Sequence, residues 1–146
     1  MPLFTTRIRV PWVDTDAAGV VHFSNYFRYC ERLEEEFLNA IGLPFGSFRH
    51  LGVWLPRVHA SCRYRWPLRF NQTARLELVD LELGRRHIRY RIAIYNEDEG
   101  RLSAECEIVV VSASREKGEA VELPGDLVRR IEEYLEKARA SSASGV

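Results

Sequence analysis

The spacing of apolar residues changes along this chain, and each change predicts a different element. Over residues 4–12, Phe4, Thr6, Ile8, Val10 and Trp12 alternate with Thr5, Arg7 and Arg9. Period two with aromatic and β-branched residues predicts a strand with one solvated face. Over residues 25–41 the apolar positions fall at Tyr26, Tyr29, Cys30, Leu33, Phe37 and Ile41. Spacings of three and four make one face of a helix spanning roughly 24 Å. Arg28, Glu31, Arg32, Glu34 and Glu35 then read as its solvated side. Ser24 or Asn25 suits the N-cap, and Gly42-Leu43-Pro44 supplies a C-terminal glycine with a proline behind it.

Residues 45–52 read as a connector. Alternation returns over residues 53–66, with Trp54, Val58, Ala60, Cys62, Tyr64 and Trp66 opposite His59, Ser61, Arg63 and Arg65. Pro56 marks an edge or a bulge near the beginning of that strand. Residues 74–83, 87–95 and 102–113 predict three further strands. The apolar face shifts after Leu78, since Val79, Leu81 and Leu83 follow it, as a bulge requires. Gly84-Arg85-Arg86 and the segment from Asn96 to Gly100 are short enough for antiparallel hairpins. A last helix opens at Leu123-Pro124-Gly125-Asp126, with Asp126 as its N-cap, and residues 140–146 read as a flexible tail. One long helix among about five antiparallel strands predicts an α+β fold with the sheet curled around that helix, in a single domain over residues 1–139. Such a sheet leaves edges that homodimerisation covers.

The chain has 146 residues, and its 21 Lys and Arg balance its 21 Asp and Glu. That balance gives no sign of a nucleic-acid partner. No apolar run reaches the about 18 residues of a membrane span, and the first residues lack the order of a signal peptide. Cys30, Cys62 and Cys106 are few and widely spaced, and they read as buried thiols in a reducing, cytoplasmic setting, not as a disulfide frame or a zinc site.

Candidate chemistry concentrates where the first strand meets the long helix, at Asp14-Thr15-Asp16-Ala17-Ala18-Gly19-Val20-Val21 followed by His22-Phe23-Ser24-Asn25-Tyr26. Backbone N–H groups at a helix start are unpaired, and the helix dipole favours negative charge there. A carboxylate beside them combines a base or nucleophile with a place for a developing oxyanion, which is a layout for acyl transfer. The loop partly imitates a calcium-binding hand, but Ala18 and Asn25 stand where that loop needs acidic ligands, so no metal is expected. Asp14 reads as a builder of the loop and Asp16 as the reacting group. His22 is an alternative general base, against a plainer role as a ring packed at the helix entrance. His50 and His59 stand in no pattern that supports a triad.

The acidic loop, Asn25-Tyr26 and Glu31-Arg32 together resemble the 4-hydroxybenzoyl-CoA thioesterase branch of the hot-dog-fold acyl-CoA thioesterases, over roughly residues 5–125. The resemblance implies a hot-dog dimer, often paired into tetramers, with active sites between subunits and no cofactor. It puts the catalytic carboxylate on Asp16, the carbonyl-polarising N–H near Phe23, and the coenzyme A phosphate contacts on Arg85, Arg86 and His87. The chain departs from the family at Glu34, where arginine is frequent, at Asn71-Gln72, where an acidic pair is frequent, and at His22, where an aromatic residue is common. The expected reaction is hydrolysis of a small aliphatic or aromatic acyl-CoA. Hydrolysis of a carrier-protein thioester or of 1,4-dihydroxy-2-naphthoyl-CoA stays open, as does acyl-CoA binding without turnover.

Overall fold

The computed structural model describes residues 1–144. Among them one antiparallel sheet has five strands, β1 (Phe4–Arg9), β3 (Arg57–Tyr64), β4 (Thr73–Leu83), β5 (His87–Asn96) and β6 (Arg101–Val111), in the order β1-β4-β5-β6-β3. The long helix α1 (Asn25–Ala40) lies across its inner face, and the C-terminal helix α3 (Gly125–Ser144) packs beside it. This is the α+β architecture expected, a hot-dog fold. The rest is a one-turn helix α2 (Phe48–Leu51) and a two-residue ladder of β2 (Val53–Trp54) with β7 (Ala113–Ser114).

The core forms where the helical stripe meets the inner residues of the strands. Tyr29, Leu33, Phe37 and Leu38 of α1 are buried against Leu76, Leu78, Ile88, Ile92 and Ile94. Phe4 and Phe37 meet edge to face at 5.7 Å, and Phe37 meets Tyr134 of α3 at 5.2 Å. Such contacts add about 1 kcal/mol each beyond simple burial. The shift of face in β4 is a bulge between Leu78 and Asp80, which turns Val79 outward and returns Leu81 to the core.

Several local expectations are corrected. The first strand ends at Arg9, and Trp12 lies in a short 3-10 turn with its ring exposed. The strand expected over residues 53–66 is two, because Pro56 breaks it: the first part pairs with β7 and the second forms the sheet edge. Val58, beside a register shift, is exposed there. The connector over residues 45–52 contains two short helical turns. Ser24 has helical backbone angles and makes no side-chain cap. Asp126 lies inside α3, where its carboxylate accepts from Arg129 and Arg130. That helix continues to Ser144, past the point where the tail was expected, and residues 145 and 146 lie outside the described residues.

The cysteines are corrected too. Cys62 and Cys106 sit directly opposite each other on β3 and β6 and are joined as a disulfide, and only Cys30 is free. Sequence spacing hid this because residues 44 apart become cross-strand neighbours only once the sheet has formed. The three sulfurs lie within 4.8 Å of one another, so the group has metal-ligand spacing although two of its members are tied to each other. With that bond present, the cysteines no longer argue for a reducing compartment. Among the described residues no helix is long and apolar enough to cross a membrane.

Candidate active site

The acidic loop folds as a tight hairpin. Asp16 donates its N–H to the Val20 carbonyl at 2.9 Å, Thr15 bridges to Val21, and the His22 N–H donates to the Asp14 carbonyl at 2.9 Å. The Gly19 N–H closes the turn on the Asp16 carbonyl at 2.9 Å, and Gly19 has φ +79°, a conformation that glycine adopts without strain. Asp16 Oδ1 accepts the Ala18 N–H at 2.9 Å, so the residue stiffens its own turn while its carboxylate stays exposed.

Asp14 does the opposite. Its side chain is only 2% exposed and meets α1, with Tyr29 Oη donating to Oδ2 at 2.8 Å and Arg28 Nη1 to Oδ1 at 2.6 Å. Asn25 Nδ2 donates to its carbonyl at 2.9 Å. The sequence reading of Asp14 as a loop builder bonded to nearby backbone N–H groups is corrected: its carboxylate bonds the side chains of Arg28 and Tyr29 on the helix, and it is Asp16 whose side chain bonds the loop backbone. Burial and the Asp14 carboxylate together hold the Tyr29 phenol far above its ordinary range.

At the helix entrance the Phe23 N–H meets no acceptor among the described residues, and the Phe23 carbonyl accepts the Tyr64 hydroxyl at 3.0 Å. The Phe23 ring is 62% exposed and stacks on His22 with centroids 4.4 Å apart. His22 Nδ1 is occupied by Ser24, 2.8 Å from its Oγ. The ring of His22 is thus held between Phe23 and Ser24 at the helix entrance.

The basic hairpin is elsewhere. Arg85 Nη2 donates to Glu122 Oε1 at 2.5 Å, and Arg86 gives its carbonyl to the Ser112 N–H at 2.7 Å. His87 lies over Gly84 so closely that a Cβ there would collide with its ring. The acidic loop bridges through Val20 to Arg69, just before β4 begins, whereas this hairpin follows the end of β4. At about 3.3 Å per residue the strand separates the two groups by roughly 30 Å. One chain does not bring them together.

A second group of polar residues was not singled out from the sequence. Glu34, expected on the solvated face, is 2% exposed and pairs with Arg57 of β3. Burial pushes its carboxyl up from the usual range while Arg57 opposes the rise. The signal was present: Glu34 stands four residues after Cys30 and three before Phe37, inside the apolar stripe. These residues border a cavity of about 190 Å³ between α1 and the sheet, lined by Phe27, Cys30, Ala60, Tyr90, Ile92 and Ile108.

Residues 10–131 match the thioesterase-like superfamily. The chain belongs to that superfamily. As a thioesterase-like protein it is a thioester hydrolase, on a scaffold shared with many solved structures. It is 37% identical over 95 residues to an Aquifex aeolicus protein named as an esterase, covering 65% of this chain and 74% of that one. It is 30% identical over 103 residues to the 1,4-dihydroxy-2-naphthoyl-CoA hydrolase of Thermosynechococcus vestitus, covering 70% of each. A hypothetical protein of Aquifex aeolicus of known structure superposes with a TM-score of 0.80 at 31% identity, over 87% of this chain and 98% of that one.

Proposed function

We propose that this thioesterase-like protein hydrolyses an acyl-CoA, with Asp16 as nucleophile or general base and the Phe23 N–H as oxyanion donor. The carrying observation is the junction of loop and helix, where an exposed carboxylate and an N–H without an internal acceptor belong to one hydrogen-bonded unit. As a nucleophile, Asp16 forms a bond to the thioester carbonyl carbon, coenzyme A leaves as its thiolate, and water then opens the mixed anhydride. As a base, Asp16 takes a proton from the water that attacks. In both routes the negative charge develops on the carbonyl oxygen, where one donor is worth about 3 kcal/mol.

The names of the relatives support 1,4-dihydroxy-2-naphthoyl-CoA as the first substrate to try. The likeness of the acidic loop to the 4-hydroxybenzoyl-CoA branch supports an aryl acyl group as well.

The site belongs to two copies of the chain in this reading, each contributing residues 1–139 as one domain. Arg85, Arg86 and His87 meet the coenzyme A phosphates from the second copy. The edge strand β3 supports this, because its outer side is unpaired and Val58 and Tyr64 are exposed along it. Antiparallel pairing of two β3 edges about a two-fold axis turns one sheet end for end. The basic hairpin of one copy then lies at the same end as the acidic loop of the other.

The test is release of free thiol from a panel of aliphatic and aromatic acyl-CoAs by the wild type and by Asp16→Asn. Loss of turnover in a folded variant supports the assignment, and full activity in Asp16→Asn overturns it.

A further inference from the structure

Cys30, Cys62 and Cys106 come together from three elements that lie far apart along the chain. Cys62 and Cys106 are paired across β3 and β6, Cys30 belongs to α1, and the three sulfurs lie within 4.8 Å of one another. Cys30 and Cys106 are buried and Cys62 is half-buried. Ile92, paired with Cys106 from β5, and Ile108 are apolar and buried beside them. Among the described residues no His, Asp or Glu joins the group. Glu34, whose charge acts on Cys30, is engaged by Arg57 and Tyr90. The Cys62–Cys106 bond closes the group, and its reduction leaves three thiols around one apolar site.

Charge and coordination number select the ligand. Three sulfurs bind a soft ion, and as thiolates they bring three negative charges. Zn(II) would leave a net charge of one and Cu(I) a net charge of two, and an uncompensated buried charge is strongly unfavourable. Zn(II) also calls for a fourth ligand, which this group lacks. Trivalent arsenic or antimony takes three sulfurs in a pyramid, fills the fourth direction with its own lone pair, and leaves no charge. Burial pushes the Cys30 thiol up to about 12, which favours a partner that consumes neutral thiols. Arsenous acid is itself uncharged near neutrality. It has a path through the apolar cavity that Cys30 lines, which the exposed Arg28 and Glu31 border.

We infer that the reduced trio of Cys30, Cys62 and Cys106 is a binding site for one trivalent thiophilic metalloid, closed whenever the disulfide is present. The site uses none of the residues assigned to thioester hydrolysis and does not depend on that reading. Opening it takes two electrons: a phosphine and water give the phosphine oxide and the two thiols of Cys62 and Cys106. Arsenous acid then exchanges its three hydroxyls for the three sulfurs. Three As–S bonds form, three As–O bonds break, and the three thiol protons leave with the hydroxyls as water. Arsenic stays trivalent throughout, and no net proton is released.

The test uses the full chain, reduced with a phosphine that is removed without air before arsenite is added. Native mass spectrometry is expected to show one arsenic bound with the loss of three hydrogens, and the oxidised chain is expected to bind none. Cys30→Ala, which leaves the other two thiols in place, is expected to weaken binding about 10-fold or more, since even losing a group that supports a ligand costs that much. Affinity is expected to stay level between about pH 6 and pH 8, whereas binding that releases protons strengthens as pH rises. A complex that keeps a hydroxyl on arsenic, equal binding by Cys30→Ala, or displacement of arsenic by an equal concentration of Zn(II) overturns the inference. Binding as tight to the denatured reduced chain also overturns it, because the fold then contributes nothing. Should Cys30→Ala fail to fold by circular dichroism, the hydrogen count of the wild-type complex and the comparison with the denatured chain decide.

Discussion

Asp14 and Asp16 stand two residues apart on one hairpin and face opposite ways, the first into the Arg28–Tyr29 pair of α1 and the second into solvent. Their substitutions therefore separate stability from activity. Asp14→Asn removes the charge from a buried acceptor of two hydrogen bonds and is expected to cost about 1–3 kcal/mol, measured by urea denaturation. Asp16→Asn keeps the fold and is expected to lower kcat by about 10² to 10⁴.

Glu34 gives the protein a pH dependence of definite sign. Its carboxyl titrates above the ordinary glutamate value because it is buried, so the folded chain holds its proton where the unfolded chain has lost it. The resulting stability is fully present below the ordinary value and is lost as pH rises from there through the folded value. Glu34→Gln is expected to flatten that part of the profile of unfolding free energy against pH. An unchanged profile would remove Glu34 as its source.

The Cys62–Cys106 bond closes a loop of 44 residues across two strands. Reduction, or Cys62→Ser, is expected to cost about 2–4 kcal/mol. Thiol titration of the denatured, unreduced chain should count one cysteine and the reduced chain three. In the folded state Cys30 should resist alkylation, because burial pushes its thiol up to about 12 and leaves almost no thiolate near neutrality.

Glu122 competes with any phosphate for Arg85. Glu122→Gln is expected to lower KM for acyl-CoA several-fold at low salt, and Arg85→Ala with Arg86→Ala to raise it, with kcat little changed. Both effects should fade as salt rises, since these side chains lie at the surface.

What the sequence disclosed was governed by distance along the chain. The stripe from Tyr26 to Phe37, the shift after Leu78 and the turn at Gly19 are local patterns, and each appears in the structure where its spacing required. Trp12 was misassigned because alternation continues after the strand has stopped pairing. Glu34 was misassigned because a charge on a helix is ordinarily solvated, and the Arg57 that offsets its burial stands 23 residues on. The pairing of Cys62 with Cys106 likewise depends on sheet register. In the candidate site, Asp16 and the Phe23 N–H were legible as one contiguous motif. The cavity was not, because its walls come from α1 and three strands.

Asp14 fastens the hairpin to the first turns of α1 through Asn25, Arg28 and Tyr29, so Asp16 and the Phe23 N–H are carried on one rigid body. In the proposed reaction the base and the oxyanion donor are therefore held by the same hydrogen-bonded unit before substrate binds. On that proposal the chemical step is expected to be insensitive to solvent viscosity, since no loop has to close over the hairpin first.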